Sequence, residues 1–340
     1  MIQTESELLV CMPLRSPITG ASSPRFKYAG KIDLITGETI VDWKSAADID
    51  SFADRKAVGF QAECYALALK RLGYNVTEYQ YRVIQTPGIK LSREDHKAAQ
   101  AKLAEIDAQP ASEMPDQFSV PVFLAKSAAE AYEDRCYAWI MERPGERIRT
   151  ITHPITQSAL DQAAAWLWAV KERIQLAERT QSYLTNEAAC GAYGSRCPYV
   201  DLCGGAKDGA DLWDIIERRF EVKPKGHTEL NLPADLKPQD IITYSSAAKF
   251  SLCEQKYFWG SIMQLQAKNA DTSDSLYVGS AMHEGLEYLP TMGVTHALSL
   301  IDTWRDANPV MGEAATEKQD QNIARARAMV RAAATYWEYE

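Results

Sequence analysis

Residues 30–44 read Gly30-Lys31-Ile32-Asp33-Leu34-Ile35-Thr36-Gly37-Glu38-Thr39-Ile40-Val41-Asp42-Trp43-Lys44. Apolar and polar residues alternate on both sides of Thr-Gly-Glu-Thr, and Gly37 can open a two-residue turn, so the stretch predicts a β-hairpin. With Gly37-Glu38 as the loop, Asp33 stands opposite Asp42 and Lys31 opposite Lys44. Ile32, Leu34, Val41 and Trp43 share the face that can enter a core. Asp42 and Lys44, two apart on one strand, point the same way. Like charges directly opposite on a sheet are destabilising. A divalent cation between the two carboxylates would turn that repulsion into coordination, because Mg²⁺ takes oxygen ligands from one or two carboxylates. A solvated polar face is the plainer alternative.

The remaining chain sets limits on this reading. It has 340 residues, room for one large domain or two ordinary ones, with the 46% hydrophobic and 24% charged content of a globular protein. There is no apolar run of bilayer length, and Glu5 and Glu7 stand where a signal peptide would be basic, so no membrane partner and a cytoplasmic location are expected. A net charge of −9 argues against indiscriminate coating of nucleic acid, though not against a local basic groove. Seven cysteines in a chain without secretory features do not suggest a disulfide framework.

Along the chain, residues 55–72 predict an amphipathic helix with Phe60, Cys64, Leu67 and Leu72 near one stripe and Gly73 as its stop. Val76–Gln85 predicts a strand. Ser92 with Asp95 predicts a capping box and a helix to about Gln109. A Pro-containing break at 110–121 follows, then a region that reads as strand or helix alike. Thr156 predicts the cap of a long helix to about Tyr183. Lys-Pro-Lys-Gly, Leu-Pro and Lys-Pro within 221–242 predict a linker, and helices are expected over 245–260, 279–289 and 318–338. The chain then divides into 1–205, a linker at 206–243, and a helical segment at 244–340.

Cys190, Cys197 and Cys203 cluster in CGAYGSRCPYVDLC. Their long, uneven gaps suit an iron–sulfur cluster better than a CxxC zinc knuckle, and Cys253 in FSLCEQKYFW is the best fourth ligand. Cys11, Cys64 and Cys136 lie in apolar surroundings and read as core residues. Gln61 and Tyr65 in FQAECYALAL are one helical turn apart, as are His283 and Glu287 in GSAMHEGLEYL.

Together, GKID, DWK and QAECY resemble the catalytic core of the PD-(D/E)XK nuclease superfamily, in its RecB-like branch. TYSSAAKFSLCEQKYFW and VGSAMHEGLE resemble that branch's entry helices, and the three-cysteine segment resembles the iron–sulfur staple of its exonuclease members. The resemblance implies an α/β fold with a mixed central sheet flanked by helices, the restriction-endonuclease-like core, with helical elements at the C-terminal end. It implies that Asp33, Asp42 and His283 hold Mg²⁺ or Mn²⁺, with Lys44 as the catalytic lysine and Gln61 and Tyr65 on the phosphate side. Cys190, Cys197, Cys203 and Cys253 become ligands of a 4Fe–4S cluster. The expected activity is metal-dependent hydrolysis of DNA at ends or on single strands, in repair or recombination, with a helicase as a further partner. A non-catalytic DNA-binding or scaffold module that keeps the fold is the alternative, and a zinc or redox protein is a third. In the family the cysteine and histidine helices precede the hairpin, whereas here they follow it. A circular permutation, with 244–340 completing the same domain, accounts for that order; two incomplete tandem copies or a fragment are the rivals.

Overall fold

The computed structural model describes residues 4–107, 120–194, 196–223, 240–268, 274–309 and 313–338. In chain order they form β1 (Thr4–Arg15), β2 (Ser22–Thr36), β3 (Thr39–Ala46), α1 (Ile49–Ala57), α2 (Gln61–Arg71), β4 (Glu78–Gln85), α3 (Arg93–Asp107), α4 (Val120–Glu142), α5 (Pro144–Arg147), β5 (Ile148–Pro154) and α6 (Gln157–Thr180). A 3₁₀ segment (Glu187–Gly194), α7 (Val200–Asp208), α8 (Leu212–Arg219), β6 (Phe220–Val222), β7 (Ile241–Ile242), α9 (Tyr244–Leu252) and α10 (Glu254–Tyr257) follow. A π-helical turn (Phe258–Ile262), β8 (Leu265–Ala267), α11 (Asp274–Ala307) and α12 (Glu313–Tyr336) complete the order. The central sheet runs β1-β2-β3-β4-β5 with β7 beside β2. It is mixed, because β1 and β2 are antiparallel whereas β2 and β7 are parallel. Helices flank it, so the expected α/β class holds.

The described residues fall into two compact units, each assembled from three chain segments: 1–40, 59–79 and 153–271 in the first, and 41–58, 80–152 and 272–340 in the second. In the first, β1 and β2 form a long ladder from Thr4↔Thr36 to Arg15↔Ser22. Helix α6, capped by Thr156 as expected, packs against α2, β1 and α9. Arg25 on β2 ties the ends of this unit together, donating to Glu178 of α6 (2.6 Å) and to Asp240 (2.5 Å). A separate small core gathers Tyr199, Leu202, Ile216, Phe220, Trp259 and Leu265 around the β6–β8 pair.

In the second unit, α4 packs between α3 and α12, and α12 also packs on α11. Buried Asp95 closes the predicted capping box at Ser92 and takes two hydrogen bonds of 2.8 Å from Arg135 of α4. Buried Glu133 of α4 accepts from Arg327 (2.7 Å) and Arg331 (2.9 Å), both on α12. Removing either side of such a pair would leave a buried charge uncompensated, so these pairs fix which faces meet.

Three expectations are revised. The helix foreseen over 55–72 is two helices, broken between Ala57 and Gln61, with Leu72 left 52% exposed rather than on the buried stripe. Gly59 sits in that break, where the missing Cβ favours the interruption. The untyped region after residue 121 is chiefly the helix α4, followed by β5. Within the stretch read as a linker, α8, β6 and β7 are ordered elements, while 224–239 lie outside the described residues. The Pro-containing break at 110–121 lies almost wholly outside them as well.

Candidate active site

The predicted hairpin forms. Strand β2 ends at Thr36, β3 begins at Thr39, and Gly37 opens the turn at φ +58°, a conformation that favours glycine. Glu38 anchors the turn: its carboxylate accepts from Asn75 (2.6 Å) and Thr77 (3.3 Å), and its carbonyl accepts the Thr77 amide (2.9 Å). Ile32, Leu34, Val41 and Trp43 are all buried, as the alternation requires. The other face of β3 is not solvated, since Asp42 is only 3% exposed. The plain reading of a wet polar face is thereby excluded at that position.

Lys44 meets this buried carboxylate directly. Its Nζ donates to Asp42 Oδ1 at 2.7 Å and to the Trp43 carbonyl at 3.0 Å. Strand periodicity puts the two side chains on one face, and the ion pair holds the ammonium there. Lys56 on α1 is the residue that sequence reading missed. Its Nζ lies 5.2 Å from the centre of the Tyr81 ring and 5.6 Å from that of Phe52. Burial, then the neighbouring Lys44 charge, bring its ammonium down to about 8 against an upward pull from Asp42. Nothing in its sequence neighbourhood, Asp-Arg-Lys-Ala, distinguishes it from a solvated helix lysine.

The first unit holds Asp33, half-buried on β2, and the Gln61–Tyr65 pair on α2. Strand β2 and helix α2 meet at Gly30: a Cβ built there would lie 2.5 Å from Tyr65 Cε1. The glycine of GKID is therefore the gap into which the Tyr65 ring fits, three residues before Asp33. His283 and Glu287 lie half-buried on α11 in the second unit. One turn before His283, Gly279 brings α11 against β3, where an added Cβ would stand 3.3 Å from Ser45 Oγ.

The four cysteines of the expected cluster all lie in the first unit. The Cys197 amide donates to the Cys190 carbonyl (2.7 Å), and Asn186 Nδ2 reaches from the 3₁₀ approach to the Leu252 carbonyl (2.9 Å), next to Cys253. Cys203 packs against the small core that holds Trp259, and its thiol is pushed up by burial and by the charges that Cys197, Cys253 and Cys190 would carry. All three thus lie within electrostatic reach of it. An open cleft of about 450 Å³, lined in part by Trp166, Arg173, Leu184 and Phe250, runs beside Cys253. Cys64 and Cys136 are fully buried, and burial raises both thiols, Cys136 to about 12. No disulfide joins any of the seven.

Among the described residues, no three His, Cys, Asp or Glu side chains are grouped to hold a single metal ion. The donor set nevertheless suits Mg²⁺, which binds through one or two carboxylates together with substrate phosphate rather than in an all-protein cage. Buried Asp42 offers hard oxygens of that kind. No helix among the described residues is long and apolar enough to cross a membrane.

A buried carboxylate paired with a strand lysine thus sits on a mixed sheet flanked by helices. The sequence profile of the PD-(D/E)XK nuclease superfamily matches residues 3–204, more than half of the chain, and the chain belongs to that superfamily. It is thus a metal-dependent nuclease at superfamily level, using divalent cations such as Mg²⁺ or Mn²⁺, with DNA as the substrate that the fold implies. No curated protein and no solved structure matches it significantly.

Proposed function

We propose that the protein is a Mg²⁺- or Mn²⁺-dependent DNA exonuclease of the RecB-like branch, with a structural iron–sulfur cluster. The observation that carries this reading is the buried Asp42 carboxylate held by Lys44 on β3. Burying an aspartate behind a lysine is costly unless the pair serves a charged ligand. Asp33, Asp42 and His283 are the residues we assign to the cation, which when bound polarises the phosphate and makes hydroxide available at neutral pH. Lys44, oriented by Asp42 and the Trp43 carbonyl, positions the attacking water and offsets charge developing on the phosphate oxygens. Gln61 and Tyr65 orient the phosphate from α2.

Cys190, Cys197, Cys203 and Cys253 form the cluster ligands in this proposal. Soft thiolates select iron–sulfur clusters. The role is structural, since the cysteines join residues 190–203 to 253. The packing of α11 on Ser45, and of Trp337 on Trp43 at 5.0 Å between ring centres, supports 244–340 as the completion of one permuted domain. Exonuclease mode and a helicase or recombination partner follow the family resemblance.

The test is degradation of 5′- and 3′-labelled single- and double-stranded DNA with Mg²⁺ or Mn²⁺. Asp42→Asn keeps the shape but removes the charge, so hydrolysis should fall by at least about 10³-fold with folding retained. Wild-type turnover by that variant would remove Asp42 from the mechanism. A wild-type protein that binds DNA but never cuts it would favour the scaffold alternative.

A further inference from the structure

The π-helical turn Phe258–Ile262 closes through the Met263 amide on the Phe258 carbonyl (2.9 Å) and is followed by Gln264 at φ +56°. A π turn and a left-handed non-glycine residue are each uncommon, and both concentrate at functional positions. Here they reverse the chain so that β8 pairs with β6, and the Lys223 amide donates to the Gln264 carbonyl (2.8 Å). From α9, Lys249 reaches the same turn and donates to Ser261 Oγ (3.2 Å). Lys256 lies on α10, immediately before the turn.

Lys249 is half-buried, and burial first, then Lys223 and Lys256, hold its ammonium below the usual lysine range. Among the described residues none of the three lysines is in an ion pair. Three acidic groups of this region serve other cations: Glu254 takes Arg173, Asp201 takes Arg196 and Arg219, and Asp214 takes Arg218. Three like charges brought near one turn repel one another. An incoming anion reverses that sign.

We infer that Lys223, Lys249 and Lys256 form a phosphate-binding site for the backbone of the DNA substrate, gathered around the turn Phe258–Gln264. Lysine suits this task because its ammonium is a compact point charge that meets phosphates without reading bases. The site rests on the nuclease reading for its choice of polyanion, but its geometry is independent of Asp33, Asp42 and Lys44. Trp259, in the same turn, belongs to the small core against which Cys203 packs, so the cysteine segment and the lysine site share one scaffold. No motif marks this cluster, since the three lysines are scattered over 34 positions among other charged residues.

The experiment is equilibrium binding of a fluorescent 20-nucleotide single strand to the full chain in Ca²⁺, at several salt concentrations. The comparison is among wild type, the Lys223→Gln/Lys249→Gln/Lys256→Gln triple variant, the single variants and a Lys97→Gln control on α3. Each phosphate contact contributes about 0.7 to the slope of log K against log salt for single strands, so the triple variant should flatten the slope by about 2 and bind at least about tenfold more weakly. Each single variant should lose about 0.7, and the control none. Melting temperature should stay level or rise in Lys249→Gln, because repulsion is relieved. A triple variant with the wild-type slope overturns the site while leaving the nuclease assignment intact, as does a Lys249→Gln variant that melts well below wild type. Wild-type protein that binds no oligonucleotide even at low salt overturns both.

Discussion

Asp42 and Lys44 were legible because strand alternation is a strong rule: two residues apart means one face, whatever else the fold does. What alternation could not supply was the covering of that face, since burial of a β3 face depends on elements far away in sequence. Lys56 was illegible for the same reason. A helix lysine is ordinarily solvated, and only the packing of Phe52 and Tyr81 makes this one half-buried. Its lowered pKa predicts a pH signature in stability. Below about pH 8 both folded and unfolded chains hold the proton, and the penalty of burying the charge is fully present. From about pH 8 to the unfolded value of about 10.4, the folded chain loses the proton first, so stability rises with pH. Lys56→Met should lack this rise, making the variant's advantage over wild type largest below pH 8 and smallest near pH 10.5. Parallel denaturation curves for the two proteins across that range would refute the burial argument.

At the scale of elements, the sequence showed that β2 and α2 both matter but not that they interlock. Gly30 looked like part of a motif, whereas its packing gives a physical reason: there is no room for a methyl beneath the Tyr65 ring. Gly30→Ala should cost about 1–3 kcal/mol by overpacking and should displace Tyr65. The sharper measurement is a double-mutant cycle. Removing the ring by Tyr65→Ala relieves the clash, so the double variant should be more stable than the sum of the single effects by at least about 0.5 kcal/mol. Additive losses would mean that the glycine is needed for another reason. The cysteine elements carry a separate prediction. Anaerobic wild-type protein should be brown, and Cys253→Ser should lose iron and melt earlier, because a metal site joining distant segments contributes folding energy. Cys11→Ser should do neither, and equal iron content in both variants would sink the proposed cluster.

For the whole molecule, periodicity found most elements but not which segments join which unit. The boundary foreseen near residue 205 followed turn-forming residues, which mark local chain reversals and say nothing about distant partners. Residues 272–340 cluster with 41–58 and 80–152, whereas 244–271 cluster with the first unit. Trp337 shows how: its ring meets Trp43 edge-on at 5.0 Å, and the Arg82 guanidinium lies over both rings, 5.2 Å from Trp43 and 5.5 Å from Trp337. Trp337→Ala should therefore destabilise the protein by about 2–4 kcal/mol and loosen the strand that bears Asp42. Chemical denaturation measures the first effect, and amide exchange at residues 41–46 measures the second. A loss below about 0.5 kcal/mol would show that α12 contributes little to β3.

The three-segment make-up of the second unit has a consequence during synthesis. Residues 41–46 leave the ribosome early, yet α12, which packs on them, ends at Tyr336. At about 5–20 residues per second, the intervening stretch of roughly 290 residues takes on the order of 15–60 s to make. Throughout that interval Trp43 has no Trp337 to pack on, and the strand bearing Asp42 lacks its final cover. A nascent chain therefore holds β3 without its Trp337 packing until α12 has emerged, so this part of the second unit forms late.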